Sequence, residues 1–389
     1  MRTRVSGLFP VHIFRLMNGP VTIFFAGGGT GGHLYPGISV AQALARECPE
    51  IKPVFLCTNR PIDRTILEPT GFEFITQPIQ PPVRSIGGLL NFWKSWRDTR
   101  DQLRVLIRER KPLAVLGLGG YAAGPAVKWC SEKKIPAAIL NPDVIPGKAN
   151  HYLLKYVQHI CCQFEATRAC LPPAHQHKMV VTGCPIRQEI CPLPPREQAA
   201  RRLGLDPNLN TLTITGASQG AQTVNQAVLE CFKSIKLQGW NILHLAGKDH
   251  AQSVRAEYRQ LNIPAIVIDF TPSMNDVWSV TDLVVARSGA STCAEITACG
   301  IPGILMPYPF HKDMHQRANA KVLADAGCAI LLEDQKDRRR NAAQLQSHLT
   351  VLLSDATRRR CMSENANKIA HPDAAVRVAR LLISMVNPS

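Results

Sequence analysis

The chain has 389 residues, 45% of them hydrophobic, and this length favours two domains over a single core. No apolar run reaches the roughly 18–20 residues that a membrane-spanning helix needs. The 45 Lys and Arg residues exceed the 29 Asp and Glu residues, so the formal net charge is +16. Such a charge predicts a polyanion, an anionic membrane surface or a phosphorylated substrate as partner, without distinguishing among them.

Residues 1–16 resemble a signal peptide only faintly. Pro10, His12 and Arg15 interrupt the apolar part, and Met17 stands just before the first predicted strand. We therefore expect an N-terminal extension that precedes a first domain of residues 17–188. The 13 cysteines are scattered and form no C-x-x-C pair, so mostly buried free thiols in a reducing cytoplasm are expected.

Apolar runs that predict strands alternate with helical patterns along the whole chain. The predicted strands of the first half are 21–25, 53–57, 72–79, 113–119, 136–141 and 159–164. Those of the second half are 211–216, 240–247, 265–270, 282–289 and 302–308. Helices are expected to begin near residues 36, 124 and 221. Alternation of this kind predicts an α/β fold with parallel sheets.

Proline and small residues are concentrated between Gly183 and Pro195, which makes this stretch the best linker candidate. We expect two Rossmann-like domains that face a cleft, the second covering residues 189–370. A C-terminal helix at about 371–389 is expected to pack back on the first domain.

Four glycine-containing loops follow predicted strands, namely 26-AGGGTGGHLYPG-37, 117-GLGGYAAGP-125, 216-GASQGAQ-222 and 287-RSGAST-292. Such a loop lets the backbone approach an anion, and the following helix offers free N–H groups. One loop alone is also compatible with a tight structural turn. Four loops favour a ligand site, because ligands of open α/β sheets bind at the carboxyl ends of strands. The first loop lacks strict G-x-G-x-x-G spacing, so a redox dinucleotide is not the first choice.

In order and spacing, six motifs resemble the MurG family of bacterial N-acetylglucosamine transferases. They are 28-GGTGGHLYPG-37, 119-GGYAAGP-125, 182-TGCPIR-187, 216-GASQGAQTVN-225, 287-RSGAST-292 followed by Glu295, and 313-DMHQRANA-320. The resemblance spans about residues 17–385. It implies a GT-B fold that transfers GlcNAc from UDP-GlcNAc to a lipid-linked muramyl-pentapeptide (lipid I), giving lipid II. The acceptor is then expected on the first domain and UDP-GlcNAc mainly on the second.

The resemblance also implies roles for residues of the first domain. His33 is the expected base for the acceptor hydroxyl, since an imidazole has a pKa near neutrality, although a loop-ordering role stays open. Asp63 is a weaker candidate for a catalytic carboxylate. The expected contacts of the donor sugar are Thr30, Gly31 and Gly32. Those of the acceptor diphosphate are Gly29, Gly119, Gly120 and Tyr121.

The remaining donor-binding residues that the resemblance implies are Asp143, Arg187, Ser218, Phe270, Thr271, Ala290, Ser291, Thr292, Glu295, His315 and Gln316. Among them, the Glu295 carboxylate can accept both ribose hydroxyls of uridine. Helix-end N–H groups are expected to stabilise the leaving diphosphate, so no metal ion or other cofactor is expected. The stretch 311-HKDMH-315 has two histidines at helical spacing but no obvious third zinc ligand.

Three motifs depart from the family pattern, one of them by having Gly216-Ala217 where the family has a glycine pair. The stretch 140-LNPD-143 stands where the family usually has H-E-Q-N, so Asp143 replaces an Asn, and Cys184 replaces an Asn in TGCPIR. An alternative is therefore a GT-B transferase with a changed donor sugar or lipid acceptor. A catalytically idle binding protein is a third hypothesis, against which His33, Glu295 and Gln316 argue. Nucleic acid is not an expected partner, because no nucleic-acid-binding motif accompanies the charge.

The stretch 85–112 combines apolar and basic character. Its apolar and aromatic residues near one end are Leu89, Leu90, Phe92, Trp93 and Trp96. Between Lys94 and Lys111, seven Lys or Arg residues stand against three Asp or Glu residues. This pattern suits an anionic lipid interface, although a surface helix with its apolar face in the core is the alternative. We expect peripheral binding to the cytoplasmic face of the plasma membrane, with other cell-wall enzymes as further partners.

Overall fold

The computed structural model describes residues 21–83, 85–216, 220–310 and 313–386. The predicted extension, residues 1–16, and the predicted donor residue Ser218 lie outside these ranges. All 13 cysteines are free, and most of them are buried. No helix in the described ranges is both long and apolar enough to cross a bilayer.

Within the described residues, the first sheet has seven parallel strands in the order β3-β2-β1-β4-β5-β6-β7. The strands are β1 (Val21–Gly27), β2 (Ile51–Cys57), β3 (Glu73–Thr76), β4 (Ala114–Gly119), β5 (Ala137–Asn141), β6 (His159–Cys162) and β7 (Met179–Val181). Every residue of β1 is buried, as expected for a central strand covered on both faces. The strand order reverses beside β1, where β4 pairs with it, and this reversal opens a crevice at the carboxyl ends.

The first sheet carries five helices among the described residues before the linker. They are α1 (Gly31–Glu47), α2 (Pro61–Leu67), α3 (Ile86–Arg110), α4 (Ala123–Glu132) and α5 (Lys148–Leu153). The predicted start of the first helix, near Pro36, was five residues late. Proline favours the first turn of a helix, but here Gly31 and Gly32 already belong to α1, and Pro36 lies inside it.

The second sheet has six parallel strands among the described residues, in the order β10-β9-β8-β11-β12-β13. They are β8 (Asn210–Thr215), β9 (Trp240–Leu245), β10 (Ile266–Ile268), β11 (Leu283–Ala286), β12 (Gly303–Leu305) and β13 (Ala329–Leu331). The helices that follow the linker are α6 (Arg196–Leu203), α7 (Gln222–Cys231), α8 (Ala251–Gln260), α9 (Met274–Val280), α10 (Ala290–Ala298), α11 (His315–Asp325), α12 (Arg338–Ser354), α13 (Ala356–Ile369) and α14 (Ala374–Val386). The strands β7 and β13 were not predicted, since three residues carry too little pattern.

The last helix returns to the first sheet. Val378 and Leu382 of α14 are fully buried in the same core as Leu44 of α1. Burying a side chain of this size contributes about 1.5–3 kcal/mol, so the contact holds the end of the chain on the first sheet.

Residues from the first half of the chain also enter the core of the second sheet. Val144, Phe164 and Ile186 are buried with Ala294 of α10 and Ala320 of α11. The two halves therefore share a packed seam beside the carboxyl ends of both sheets, and this seam positions the cleft described next.

Candidate active site

A cavity of about 520 Å³ lies between the carboxyl ends of the two sheets. One side is lined by the start of α1 and by the loops after β4 and β5. The other side is lined by the last residues of β8 and β9, by the residues after β10 and by the turn after β11. The predicted site residues that line it are Gly31, Gly32, His33, Gly119, Gly120, Asp143, Arg187, Phe270, Thr271, Ala290, Ser291, Thr292, Glu295 and His315. Most of the site expected from the motifs is thus brought together in one place.

Five predicted residues are not among those that line the cavity, namely Gly29, Thr30, Asp63, Tyr121 and Gln316. The Gln316 side-chain oxygen accepts a hydrogen bond from the Tyr308 N–H, 2.9 Å away, and its main-chain carbonyl accepts from the Ser288 hydroxyl. Its predicted contact with the donor stays a prediction.

His33 lies in the first turn of α1, with its ring against the glycine loop. Its Nδ1 is 3.2 Å from the Gly28 carbonyl oxygen and 3.2 Å from the Thr30 hydroxyl. A carbonyl can only accept, so we assign the ring proton to Nδ1, which leaves Nε2 unprotonated. Burial lowers the pKa of His33 below its ordinary value, while the Gly28 carbonyl and the charges of Asp143 and Asp63 oppose this. The neutral imidazole is thus the favoured form, as a general base requires.

Asp63 does not line the cavity, although its carboxylate was a candidate for catalysis. Asp63 is fully buried, and its oxygens accept from the Gly29 N–H at 2.6 Å, the Thr58 N–H at 2.8 Å and the Thr58 hydroxyl at 2.6 Å. A carboxylate enclosed in this way cannot reach a substrate proton. These bonds hold the glycine loop in place, and the catalytic role of Asp63 stays a prediction that this geometry does not favour.

Two glycine positions are required by close approaches. A Cβ at Gly28 would stand 2.2 Å from Asp63 Oδ2, so only glycine lets the loop settle on that carboxylate. Gly120 has a φ of +72°, and a Cβ there would stand 3.1 Å from the His33 ring. The loop after β4 therefore backs directly onto the imidazole.

On the wall that the second domain contributes, Glu295 of α10 is buried and held by two hydrogen bonds. Its Oε2 accepts from the Trp278 indole N–H at 2.7 Å, and its Oε1 accepts from Arg187 at 3.3 Å. Burial raises the pKa of Glu295, and the Arg187 charge and the Trp278 hydrogen bond counter this. The Arg187 guanidinium also lies 5.2 Å from the Tyr35 ring centroid, so it joins the donor side to α1. Trp278 was not foreseen, since a tryptophan in a short helix gives no motif signal.

Residues 289–292 form the turn into α10 and line the cavity with their main chain and side chains. The helix begins at Ala290, so the N–H groups of its first turn are available to an anion. Phe270 and Thr271 follow β10 on the same wall, where 45% of Phe270 is exposed. This wall therefore places a partly exposed aromatic ring and the N-terminus of α10, which can accept an anion, along the same cavity.

Asp143 lines the cavity, but its side chain already has a protein partner across the cleft. Its Oδ1 accepts from the Asn319 amide at 2.7 Å. Asn319 belongs to the motif 313-DMHQRANA-320, which could have identified it, although no role was predicted for it. His315, in the same motif, lies 2.7 Å from Asp313 through its Nδ1.

A second, open depression of about 850 Å³ lies on the outer side of the second sheet, between α7, α8 and the start of α12. Its charged residues pair with one another: Arg338 bonds to Glu230 and Glu257, and Lys233 to Glu230. It is remote from the glycine loops, and the cleft remains the candidate site. In the described part of the chain, no three His, Cys, Asp or Glu side chains group as metal ligands.

Two parallel-sheet domains that face a common cleft are the architecture of the GT-B class of glycosyltransferase. Sequence comparison agrees. The profile of the glycosyltransferase family 28 N-terminal domain matches residues 23–162, and that of the family 28 C-terminal domain matches residues 211–378.

Curated relatives include two proteins named UDP-N-acetylglucosamine--N-acetylmuramyl-(pentapeptide) pyrophosphoryl-undecaprenol N-acetylglucosamine transferase. The one from Halothermothrix orenii is 31% identical, with 90% of this chain and 95% of the relative covered. The one from Halalkalibacterium halodurans is 32% identical, covering 92% and 98%. The chain therefore belongs to the MurG family, within glycosyltransferase family 28.

Solved structures agree with this assignment. The crystal structure of Acinetobacter baumannii MurG superimposes with a TM-score of 0.73 at 25% identity, covering 94% of this chain and 100% of that one. The UDP-GlcNAc 2-epimerase from Neisseria meningitidis has a TM-score of 0.68 at 15% identity, covering 94% and 100%, and shares the fold alone. The predicted GT-B fold and the predicted family are confirmed.

Proposed function

We propose that this chain transfers N-acetylglucosamine from UDP-GlcNAc to the C4 hydroxyl of the muramyl sugar in lipid I, forming lipid II for peptidoglycan. One observation carries the proposal: His33 and the α10 turn with Glu295 come from opposite halves of the chain and line one cleft. The curated relatives that match over 90% of the chain are named for this transfer.

In the proposed reaction, His33 Nε2 takes the proton from the acceptor C4 hydroxyl as that oxygen attacks C1 of GlcNAc. The bond from O4 to C1 forms while the bond from C1 to the β-phosphate oxygen breaks, so the configuration at C1 inverts. UDP leaves with the electron pair, and the N–H groups at the start of α10 stabilise its diphosphate. The Glu295 carboxylate, held by Arg187 and Trp278, is positioned to accept the ribose hydroxyls.

Peripheral binding to the cytoplasmic face of the plasma membrane is part of the proposal. We define the aromatic face as Ile86, Leu90, Trp93 and Tyr152, which are 84%, 65%, 63% and 40% exposed. The buried residues of α3 are Ser95, Thr99 and Leu103, whereas Ile86, Leu89, Leu90 and Trp93 near its start are exposed and do not serve the core. Exposed apolar residues beside basic ones favour an anionic bilayer as their partner.

The short helix α5 connects this face to the cleft. Gly147 and Lys148 at its start line the cavity, and the Tyr152 ring near its end lies 6.3 Å from the Trp96 ring of α3. An acceptor whose lipid lies in the bilayer can therefore present its sugar to His33 without leaving the membrane. Lys155 stacks over Tyr152 and Tyr156, which adds a cation at the same surface.

The test is UDP release by purified protein with a short-chain lipid I analogue, offering UDP-GlcNAc, UDP-GalNAc and UDP-glucose separately. We expect acceptor-dependent release that prefers UDP-GlcNAc. The His33→Ala change is expected to lower kcat by about 10²–10⁴, because it removes the base. The matched control is His348→Ala in α12, outside the cleft, which should leave release unchanged. Preference for another UDP-sugar would contradict the assignment of UDP-GlcNAc as donor. Binding of UDP without any release of UDP from the three UDP-sugars would contradict the proposed transferase activity.

A further inference from the structure

A ladder of side-chain hydrogen bonds runs along the loop after β5 toward the cleft. The Asn150 amide donates to the Leu140 carbonyl at 2.9 Å and to the Asn141 side-chain oxygen at 3.0 Å. The Asn141 amide in turn donates to the Asp143 carbonyl at 2.8 Å. These bonds hold the main chain at Asp143 within the first domain.

The same loop forms hydrogen bonds with both polar atoms of one side chain from the second domain. Asn319 of α11 is fully buried, and its amide nitrogen donates to Asp143 Oδ1 at 2.7 Å. Its side-chain oxygen accepts from the Val144 N–H at 2.9 Å. Consecutive residues therefore hold both ends of one amide, which fixes its orientation more firmly than a single bond.

The amide passes this restraint to the donor turn. Its nitrogen also donates to the Ser288 carbonyl at 3.1 Å, and Ser288 is fully buried immediately before residues 289–292. Because the α10 turn lines the cavity opposite His33, a shift of Asn319 relative to Asp143 changes the spacing between base and donor.

We propose that Asp143 is a positioning residue: through Asn319 it latches the donor turn to the first domain, and it lines the same cavity as the His33 imidazole. The proposal rests on the transfer proposed above. It explains the Asp at position 143, where the family usually has an Asn, by its role in joining the two domains and not by contact with the donor sugar. The carboxylates that act on His33 are Asp143 and Asp63, and the Asp63 carboxylate is bound to the glycine loop.

The test compares Asp143→Ala with the conservative Asp143→Asn. Without substrate, hydrogen exchange of the Val144 amide is measured, since that N–H is held by Asn319. Asp143→Ala should speed this exchange and raise the KM for UDP-GlcNAc about tenfold, the effect of losing one charge-assisted hydrogen bond. Asp143→Asn keeps an oxygen that can accept from Asn319, so exchange and KM should return near the wild-type values.

The pH profile of kcat/KM tests whether Asp143 also affects His33 through its charge, which a purely structural role would not do. The Asp143 charge raises the pKa of His33, so Asp143→Asn lowers it further. The base then stays deprotonated to lower pH, and the acid limb of kcat/KM should move to lower pH. Asp325→Asn, an exposed change on the same helix as Asn319, is the control for both measurements.

Unchanged exchange and KM in Asp143→Ala would overturn the latch, and an acid limb that stays in place in Asp143→Asn would overturn the charge effect. A changed sugar preference in Asp143→Asn would instead mean direct contact with the donor. The exchange measurement needs no turnover, so the latch can fail or hold independently of the proposed transfer.

Discussion

His33 and Asp63 act on opposite sides of one glycine loop. The His33 ring lines the cleft and is oriented by the Gly28 carbonyl, whereas the Asp63 carboxylate is buried beneath the loop and holds Gly29. The sequence marked both residues as candidates for acid–base chemistry, because residue type alone does not reveal which way a side chain faces. The burial of each side chain in the folded protein is what distinguishes His33, the candidate base, from Asp63, which holds the loop.

Replacing Asp63 with Asn should damage folding and turnover together. An amide has one acceptor oxygen where the carboxylate has two, so one of the Gly29 and Thr58 donors loses its partner. An unsatisfied buried donor costs about 1–3 kcal/mol, which should appear as a lower free energy of unfolding in urea. His33→Ala is the contrast, since it should lose turnover with little change in stability. An Asp63→Asn variant that is as stable as the wild type but inactive would instead support a catalytic role for Asp63.

At the scale of elements, a buried network that joins α7, β9 and α8 holds the main chain against which Gly220 packs. His244 is fully buried, with Nδ1 2.9 Å from the Tyr258 hydroxyl and Nε2 3.0 Å from the Asn225 side-chain oxygen. The Asn225 amide donates to the Ala246 carbonyl, against which Gly220 packs closely. Asn225 is the last residue of the motif 216-GASQGAQTVN-225, so the sequence identified it. Its partners His244 and Ala246 lie outside the motif and could not be predicted from it.

This network makes stability depend on pH. Burial lowers the pKa of His244 to about 3, so the folded state keeps it neutral while the unfolded chain binds a proton below pH of about 6.5. Stability is therefore lost as pH falls, by about 2 kcal/mol at pH 5 from this group. Urea unfolding at pH 7 and pH 5 should give a smaller difference for His244→Gln than for wild type. An equal difference would mean that another group carries the pH dependence.

At the scale of the whole molecule, the exposed aromatic face and the cleft lie at opposite ends of α5. The net charge of +16 strengthens attraction to anionic lipid over the entire surface, but the apolar side chains are local. The proposed membrane binding therefore combines a diffuse electrostatic part with a localised apolar part.

Membrane binding can be tested with the double change Leu90→Ser and Trp93→Ser. Each side chain is mostly exposed, so their removal should weaken binding to anionic vesicles tenfold or more, from about 1.5–3 kcal/mol of lost burial per side chain. Val351→Ser, an exposed apolar residue on α12, is the matched control. Thermal midpoints at the wild-type value would exclude misfolding, and undiminished vesicle binding by the double variant would contradict the proposed face.

Raising the salt concentration should weaken binding of the wild type to anionic vesicles and leave binding to neutral ones little changed, since salt screens exposed charges. The electrostatic part is thereby separated from the apolar part in one titration.

The sequence by itself determined two parallel sheets, the glycine loops at their carboxyl ends and the family, because these depend on local apolar pattern and on motif order. Most of the site residues that it predicted line the cleft for the same reason, since loops at the ends of parallel strands meet at one edge. Only the tertiary structure decided that Asp63 faces inward and that Asp143 meets Asn319. Those contacts join residues 34 and 176 positions apart, and no local pattern encodes which buried groups become neighbours.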